Sequence, residues 1–229
     1  VNAAAAEPYY RIGYSNLLQR ALLPLRRLQS RNEMDRNVRV VAVCGSLRDD
    51  SKTRTALRAA LASARSAGAT TELLDLREYD LPAYDPDDPE PADAAALRES
   101  VERADAVLIG TPNYHGSYSG QLKNALDYCG RDEFGGTTVG LLEVAGGEFP
   151  TAPLDHLRSV CRTLNAWVLP TEVAIPSSSS TVADGEIDDE RIAERVATLG
   201  ERVAAYAGVE SYPKLAADGR DALAEAADD

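Results

Sequence analysis

Long hydrophobic runs are missing from this sequence of 229 residues. One of the longest, from Ala104 to Ile109, is interrupted by Asp105 and falls far short of the roughly 20 apolar residues that a bilayer-spanning helix needs. The sequence therefore predicts a soluble protein without a membrane partner. We expect a cytoplasmic location.

Cysteine and histidine are scarce. Cys44, Cys129 and Cys161 are odd in number, widely spaced and form no Cys-x-x-Cys pair, which predicts buried thiols in a reducing cytoplasm. The two histidines are His115 and His156, and the second falls in a helical pattern where we expect a structural role. Because these residues cannot be assembled into a ligand set, no metal site is expected.

Basic residues are in a minority, with 24 Lys plus Arg against 37 Asp plus Glu, and the formal net charge is −13. This excess argues against a nucleic-acid partner, since phosphate contacts require a surplus of Lys and Arg. Lysine is rare among the basic residues and alanine is abundant. Such a composition favours a salt-adapted protein over an ordinary acidic one, because molar salt shortens the Debye length to about 3 Å and screens self-repulsion.

The composition divides the chain into three segments. Residues 1–37 are predicted to be an N-terminal extension, in which arginines outnumber acids. It either precedes a native start at Met34, the only methionine, or is a genuine arm that is disordered or packs an amphipathic helix on a partner subunit. Residues 38–207 are predicted to be the folded domain, and residues 208–229 an acidic C-terminal tail.

Short β-branched runs alternate with helical patterns, which is typical of an α/β fold with a parallel sheet covered by helices on both faces. Five strands are predicted, at residues 38–44, 70–76, 106–110, 138–144 and 167–174. Five helices are predicted as well, and their apolar positions fall within residues 57–64, 97–104, 122–129, 154–164 and 192–206. The serine run 177–180 is predicted to be a flexible loop.

The loop after the first strand combines groups that suit a phosphate. It reads CGSLRDDSKTR over residues 44–54 and opens into a helix with Ser51 as its N-cap. Helix N-terminal amides, hydroxyls and guanidinium groups attract phosphate, so Ser46, Arg48, Ser51 and Thr53 are the candidate ligands. Arg48, Lys52 and Arg54 are expected to reverse the negative potential locally. The spacing fits neither a Walker loop nor GxGxxG, and Asp50 stands where a phosphatase loop needs Arg.

The loop after the third strand makes the sequence more specific. It reads TPNYHGSYSGQLKNALDY over residues 111–128. Together with GSLRxxSxT in the first loop, it resembles the NADPH-dependent FMN reductase family, and the resemblance covers residues 38–207. It implies a flavodoxin-like, doubly wound, five-stranded parallel sheet with strand order 2-1-3-4-5.

The resemblance also implies an FMN site made by three loops. The first loop would bind the FMN phosphate, the second would lie along the ring and ribityl chain, and the loop after the fourth strand would approach the other edge of the ring. The implied cofactor-binding residues are Ser46, Arg48, Ser51 and Thr53; Pro112, Asn113, Tyr114, His115, Gly116 and Ser117; and Ala145, Gly146 and Gly147.

By the same resemblance, the protein is expected to be an FMN-dependent NAD(P)H oxidoreductase. Hydride would pass from NADPH or NADH to flavin N5 and then to free flavin, a quinone, an azo compound or a metal oxyanion. No catalytic side chain is expected, because the flavin carries the chemistry. A homodimer or homotetramer is implied, with the loop 81–88 and the third helix near the interface. Two alternatives stay open: a non-enzymatic FMN electron carrier of flavodoxin type, and a flavin-lacking regulatory or binding module.

Overall fold

A parallel sheet organises the part of the chain that the computed structural model describes, which is residues 38–89, 91, 93–148 and 152–208. The extension 1–37 and nearly all of the tail 208–229 lie outside the described residues. The sheet has the strand order β2-β1-β3-β4-β5, with every pair parallel. Its strands are β1 (Arg39–Cys44), β2 (Thr70–Asp75), β3 (Ala106–Pro112), β4 (Thr138–Val144) and β5 (Trp167–Ile175). The predicted fold class and strand order are confirmed.

Helices cover both faces of this sheet, as predicted. One face packs against α1 (Lys52–Ser66) and α7 (Glu190–Ala205). The other face packs against α2 (Ala94–Glu102), α3 (Gly120–Asp127) and α5 (Ala152–Thr163). Strands β3 and β4 are buried along their whole length, as central parallel strands between two helical layers must be.

Helix α1 shows why the chain folds this way locally. The Ser51 side chain accepts a hydrogen bond from the Arg54 amide at 3.1 Å, which confirms the predicted N-cap. Buried alanines and leucines at helical spacing turn one face to the sheet. Gly200 of α7 lies so close to the Ala60 carbonyl that a Cβ atom would overlap it, so the two helices pack through small residues.

Three short elements were not predicted from the hydrophobic patterns. The run 177–180, predicted as a flexible loop, overlaps the one-turn helix α6 (Ser178–Thr181), so that prediction is wrong. A small antiparallel hairpin of β6 (Val182–Ala183) and β7 (Glu186–Ile187) follows it, and α4 (Arg131–Phe134) precedes β4. Elements of two to four residues are too short to show a periodicity, and backbone and tertiary contacts determine them instead.

All three cysteines are free and buried, as predicted. Burial raises the pKa of the Cys129 and Cys161 thiols to about 12, so both stay protonated and unreactive at neutral pH. Among the described residues, no helix has the length and apolar character to cross a membrane. In the same part of the chain, no group of three or more His, Cys, Asp or Glu side chains is arranged to hold a metal ion.

Candidate functional site

The candidate site lies at the carboxyl ends of β1, β3, β4 and β5, where open parallel sheets bind their ligands. In three of these loops the first amide donates a hydrogen bond to a carbonyl of the neighbouring strand, so the loops form one continuous surface. The three bonds are Gly45 N to Gly110 O at 2.9 Å, Asn113 N to Val144 O at 2.8 Å and Ala145 N to Ile175 O at 2.9 Å.

The loop after β1 presents unused hydrogen-bond donors. Within the described chain, the amides of residues 49–53 donate to no protein acceptor. The side chains of Ser46 and Thr53 are buried in this loop, whereas Arg48 is exposed and its guanidinium contacts no described acceptor. A helix N-terminus with free amides, hydroxyls and a free guanidinium suits a phosphate dianion.

The buried Arg54 side chain stabilises this loop by binding its backbone. Its guanidinium is buried and donates hydrogen bonds to the carbonyls of Asp49 at 2.9 Å and Arg48 at 2.6 Å. Its Nε also lies 2.8 Å from a carboxylate oxygen of Asp75, at the end of β2. Arg54 therefore has a structural role through these protein partners, and its expected contribution to the local positive potential stays a prediction.

Asp75 is the negative centre of this arrangement. Burial by itself raises its pKa, but hydrogen bonds from Arg77 and the positive charges of Arg54 and Arg77 outweigh burial and hold the pKa below its ordinary value. The carboxylate stays ionised at neutral pH and pairs with the Arg54 guanidinium.

Lys52 also has a protein partner. Its Nζ donates to the Ser178 carbonyl at 2.6 Å. Of the three basic residues expected to reverse the negative potential locally, only Arg48 has a cationic group without a partner in the described chain.

The loop after β3 ends in a tight two-residue turn. Tyr114 and Ser117 exchange backbone hydrogen bonds at 2.9 and 3.0 Å, and between them His115 and Gly116 adopt φ values of 54° and 78°. Two consecutive positive φ angles are typical of a type I′ turn, which glycine and, among other residues, histidine tolerate. The Asn113 side chain accepts a hydrogen bond from the Gly116 amide at 3.0 Å and closes the turn. The turn leaves Tyr114 48% exposed.

His156 of α5 contacts this loop, although the sequence predicted only a structural helix position for it. Its Nδ1 lies 3.1 Å from the Ser117 hydroxyl, and its ring meets that of Tyr118 edge to face with centroids 6.4 Å apart. The residues are far apart in sequence and no spacing rule connects them. Only the packing of α5 against β4 and β5 brings them together.

The loop after β4 offers open backbone. A Cβ atom built at Gly116, Gly146 or Gly147 would meet no atom within 4 Å. Glycines with free space on their side-chain side let a flat group approach the backbone closely. The loop is held from behind by the segment after β5, because Ser177 N donates to Gly147 O and Ser178 N to Ala145 O, both at 2.9 Å.

Glu143 is a feature that the sequence did not mark. It is the penultimate residue of β4 and is completely buried, and neither carboxylate oxygen has a hydrogen-bond partner among the residues that the structure describes. Burial, with smaller contributions from Glu172 and Asp155, raises its pKa to about 7. At neutral pH this carboxyl group is therefore partly protonated, and it lies two residues before the loop 145–148.

These observations fit a phosphate-bearing planar ligand. The donors of the first loop match a phosphate, and the open glycines of the later loops match the edge of a ring. All thirteen predicted residues lie in loops, at a strand end or in the first turn of α1, at one edge of the sheet. Lys52, Arg54, Ser177 and Ser178 support these loops and were not predicted as site residues.

The fold and the site define a flavodoxin-like α/β protein. Residues 38–180 match the family described as NADPH-dependent FMN reductase, and the chain belongs to this family. The family predicted from the two loop motifs is thereby confirmed.

Sequence relatives include two FMN-dependent NADPH-azoreductases. The protein from Staphylococcus haemolyticus is 38% identical over 122 residues, which are 52% of this chain and 65% of that relative. The protein from Staphylococcus aureus (strain USA300) is 48% identical over 82 residues, which are 36% of this chain and 44% of that relative. The chain thus matches less than two thirds of the length of either relative.

Solved structures share the fold. A flavoenzyme NAD(P)H:(acceptor) oxidoreductase from Paracoccus denitrificans has a TM-score of 0.64 and 24% identity, and the match covers 74% of this chain and 96% of that chain. A flavodoxin from the domain Archaea has a TM-score of 0.56 and 10% identity, with coverage of 74% and 99%. At these identities the likeness concerns the fold alone.

Proposed function

We propose that this protein is an FMN-dependent NAD(P)H oxidoreductase. The observation that carries the proposal is the row of free amides at residues 49–53, beside the unpaired Arg48, at the carboxyl edge of a flavodoxin-like sheet. Membership of the NADPH-dependent FMN reductase family supports the same cofactor and electron donor.

The residues present suit each part of FMN. Ser46, Arg48, Thr53 and the free amides of the first loop would hold the phosphate, with Ser51 capping the helix behind them. The turn at His115 and Gly116 and the backbone of residues 145–147 would border the ring. When bound, FMN supplies the hydride-accepting and hydride-donating chemistry, and the chain binds and orients it.

We propose an azo compound as the electron acceptor. The FMN-dependent NADPH-azoreductase relatives point to this class. Two of the exposed large hydrophobic side chains, Leu47 and Tyr114, lie in the loops of the site and are 52% and 48% exposed. They offer apolar surface to a flat aromatic acceptor, which favours an azo compound or a quinone over a metal oxyanion.

We further propose that the protein is a cytoplasmic homodimer adapted to high salt. Loop 81–88 packs on α3, where the Pro82 carbonyl accepts hydrogen bonds from Asn124 at 2.7 Å and Tyr128 at 3.0 Å. Tyr84 remains 39% exposed there. This ordered surface with an exposed aromatic ring is a suitable dimer contact, and light scattering in low and molar salt measures the oligomeric state.

The test begins with FMN binding. We expect the purified protein to bind FMN, to show a flavin spectrum and to lose the visible absorbance anaerobically when NADPH or NADH is added. Reoxidation by an azo dye, against a quinone and free flavin in parallel, identifies the acceptor. Binding without bleaching would instead indicate an electron carrier, and absence of FMN binding in both low and molar salt would leave only the flavin-lacking alternative.

Arg48→Ala tests the phosphate site directly. It should weaken FMN binding by about 1.5–3 kcal/mol, the range for hydrogen bonds to charged groups. Riboflavin lacks the phosphate, so its affinity should stay unchanged. Arg58→Ala is the matched control, since Arg58 is exposed on the same helix and has no partner in the described chain. Equal FMN affinity of the Arg48 variant and the wild type would refute the phosphate role.

A further inference from the structure

A chain of hydrogen bonds connects the start of α1 to the loop after β4. Lys52 Nζ donates to the Ser178 carbonyl at 2.6 Å, and the Ser178 amide donates to the Ala145 carbonyl at 2.9 Å. The adjacent Ser177 amide donates to the Gly147 carbonyl at 2.9 Å. The segment after β5 therefore joins two loops that lie at opposite ends of the proposed cofactor.

The position of Lys52 is unfavourable for a simple helix residue. It is the first residue of α1, and a cation at a helix N-terminus opposes the positive end of the helix dipole. The ammonium group is nevertheless directed to a backbone carbonyl 126 residues further along the chain. A bond to that carbonyl offsets the unfavourable placement, because charge-assisted hydrogen bonds are among the stronger ones.

The segment that receives this bond is itself strained. Ser177 adopts φ 45° and ψ 45°, a left-handed conformation that costs free energy in a residue other than glycine. The conformation directs two successive amides, those of Ser177 and Ser178, to the loop after β4. Such strain persists only where surrounding contacts maintain it, and Lys52 provides one of them.

We propose that Lys52 is a positioning residue that does not bind the phosphate. Through its bond to Ser178, it sets the distance between the loop 145–148 and the flavin ring. This inference rests on the proposed function. Because Lys52 begins the helix whose amides would bind the phosphate, the same residue couples the phosphate end of the site to its ring end.

Two flavins separate this role from a phosphate contact. Lys52→Met keeps most of the aliphatic stem and removes the donor. If Lys52 acts on the ring loop, the variant should lose affinity for FMN and for riboflavin by the same factor, about tenfold, which is about 1.4 kcal/mol. The absorption spectrum of the bound flavin should shift, and Lys52→Arg, which keeps a charged donor, should restore affinity and spectrum. Arg58→Met, which removes one exposed charge from α1, should bind both flavins as the wild type does.

Each other outcome overturns the proposal. A loss confined to FMN would make Lys52 a phosphate ligand, and unchanged affinity for both flavins would make its bond incidental. Thermal unfolding verifies that the variants are folded, and Lys52→Gln replaces the methionine variant if that one does not fold. If the wild type binds neither flavin, the proposed function fails as well. If the wild type binds flavin and the Lys52 variant binds it with the same affinity, only this inference is refuted.

Discussion

Glu143 gives the protein a specific dependence of stability on pH. Burial raises the pKa of its carboxyl group from 4.5 to about 7, whereas the unfolded chain exposes it to water. Between these two pH values the folded state holds a proton that the unfolded state has lost, so the free energy of unfolding falls as pH rises. A difference of that size corresponds to about 3 kcal/mol, present in full below pH 4.5 and lost above pH 7.

The described groups around Glu143 do not offset the free-energy cost of ionising this buried carboxyl group. Thr111 and Ala174 are its partners on the neighbouring strands, and no described residue donates a hydrogen bond to either carboxylate oxygen. The charges that raise its pKa further are Glu172 on β5 and Asp155 on α5. Arg158, the nearby cation, pairs with Glu172 at 2.6 Å.

Glu143→Gln removes the titrating group and keeps the shape. The amide also lacks a partner and carries a constant cost, so the prediction concerns the slope with pH. As pH rises from 4.5 to 8, the free energy of unfolding of the variant should increase relative to that of the wild type by about 3 kcal/mol. For a fold of this size, that is roughly 6–12 °C in melting temperature. Urea unfolding and thermal scans across this range measure the difference.

The matched control is Glu201→Gln, which removes the same charge from an exposed position on α7. Its stability curve should run parallel to that of the wild type across the pH range. If the Glu143 variant were also parallel to the wild type, Glu143 would be ionised or hydrated in the folded protein, and the description of a dry, unpartnered carboxyl group would be wrong.

The remaining predictions concern the loops. Gly147→Ala should leave the melting temperature unchanged, because the added Cβ meets nothing within 4 Å, but it should lower the FMN affinity measured by titration. Gly45→Ala should instead lower the melting temperature, because its Cβ would lie 2.8 Å from that of Leu122. Equal flavin affinity of the Gly147 variant would place the ring elsewhere. Arg54→Met should cost about 3 kcal/mol in urea unfolding, since it leaves Asp75 buried without one of its cations, and a near-neutral result would refute this account.

Much of the fold was predictable from local patterns. The central strands appeared as near-continuous apolar runs, which is how strands buried on both faces read in a sequence. The N-cap at Ser51 was predictable because capping depends on neighbouring residues only. The candidate site residues stay a prediction that the resemblance implies for three loops, and those loops do lie together because the carboxyl ends of parallel strands meet at one edge.

The remaining features depend on residues far apart in the chain. Helix α6 is one turn long and is held by backbone bonds across the end of the sheet, so no periodicity marks it. At the bulge opposite Gly140, β5 reaches Glu172 with a shifted register, which no alternation of residues in β5 predicts. Such elements are decided by neighbours that a local pattern does not contain.

The sequence by itself determined the class of fold, because apolar runs encode strands and helices locally. Its short loop motifs, by their resemblance to a known family, also indicated the family, the order of the strands and the loops proposed to face the ligand. Only the tertiary structure decided which charged side chains remain available there. Arg54 is engaged beneath the first loop, Lys52 is bound to Ser178, and Arg48 alone of the three is free in the described chain. The physical reason is that an ionic side chain acts through its partners, and packing of distant segments selects those partners.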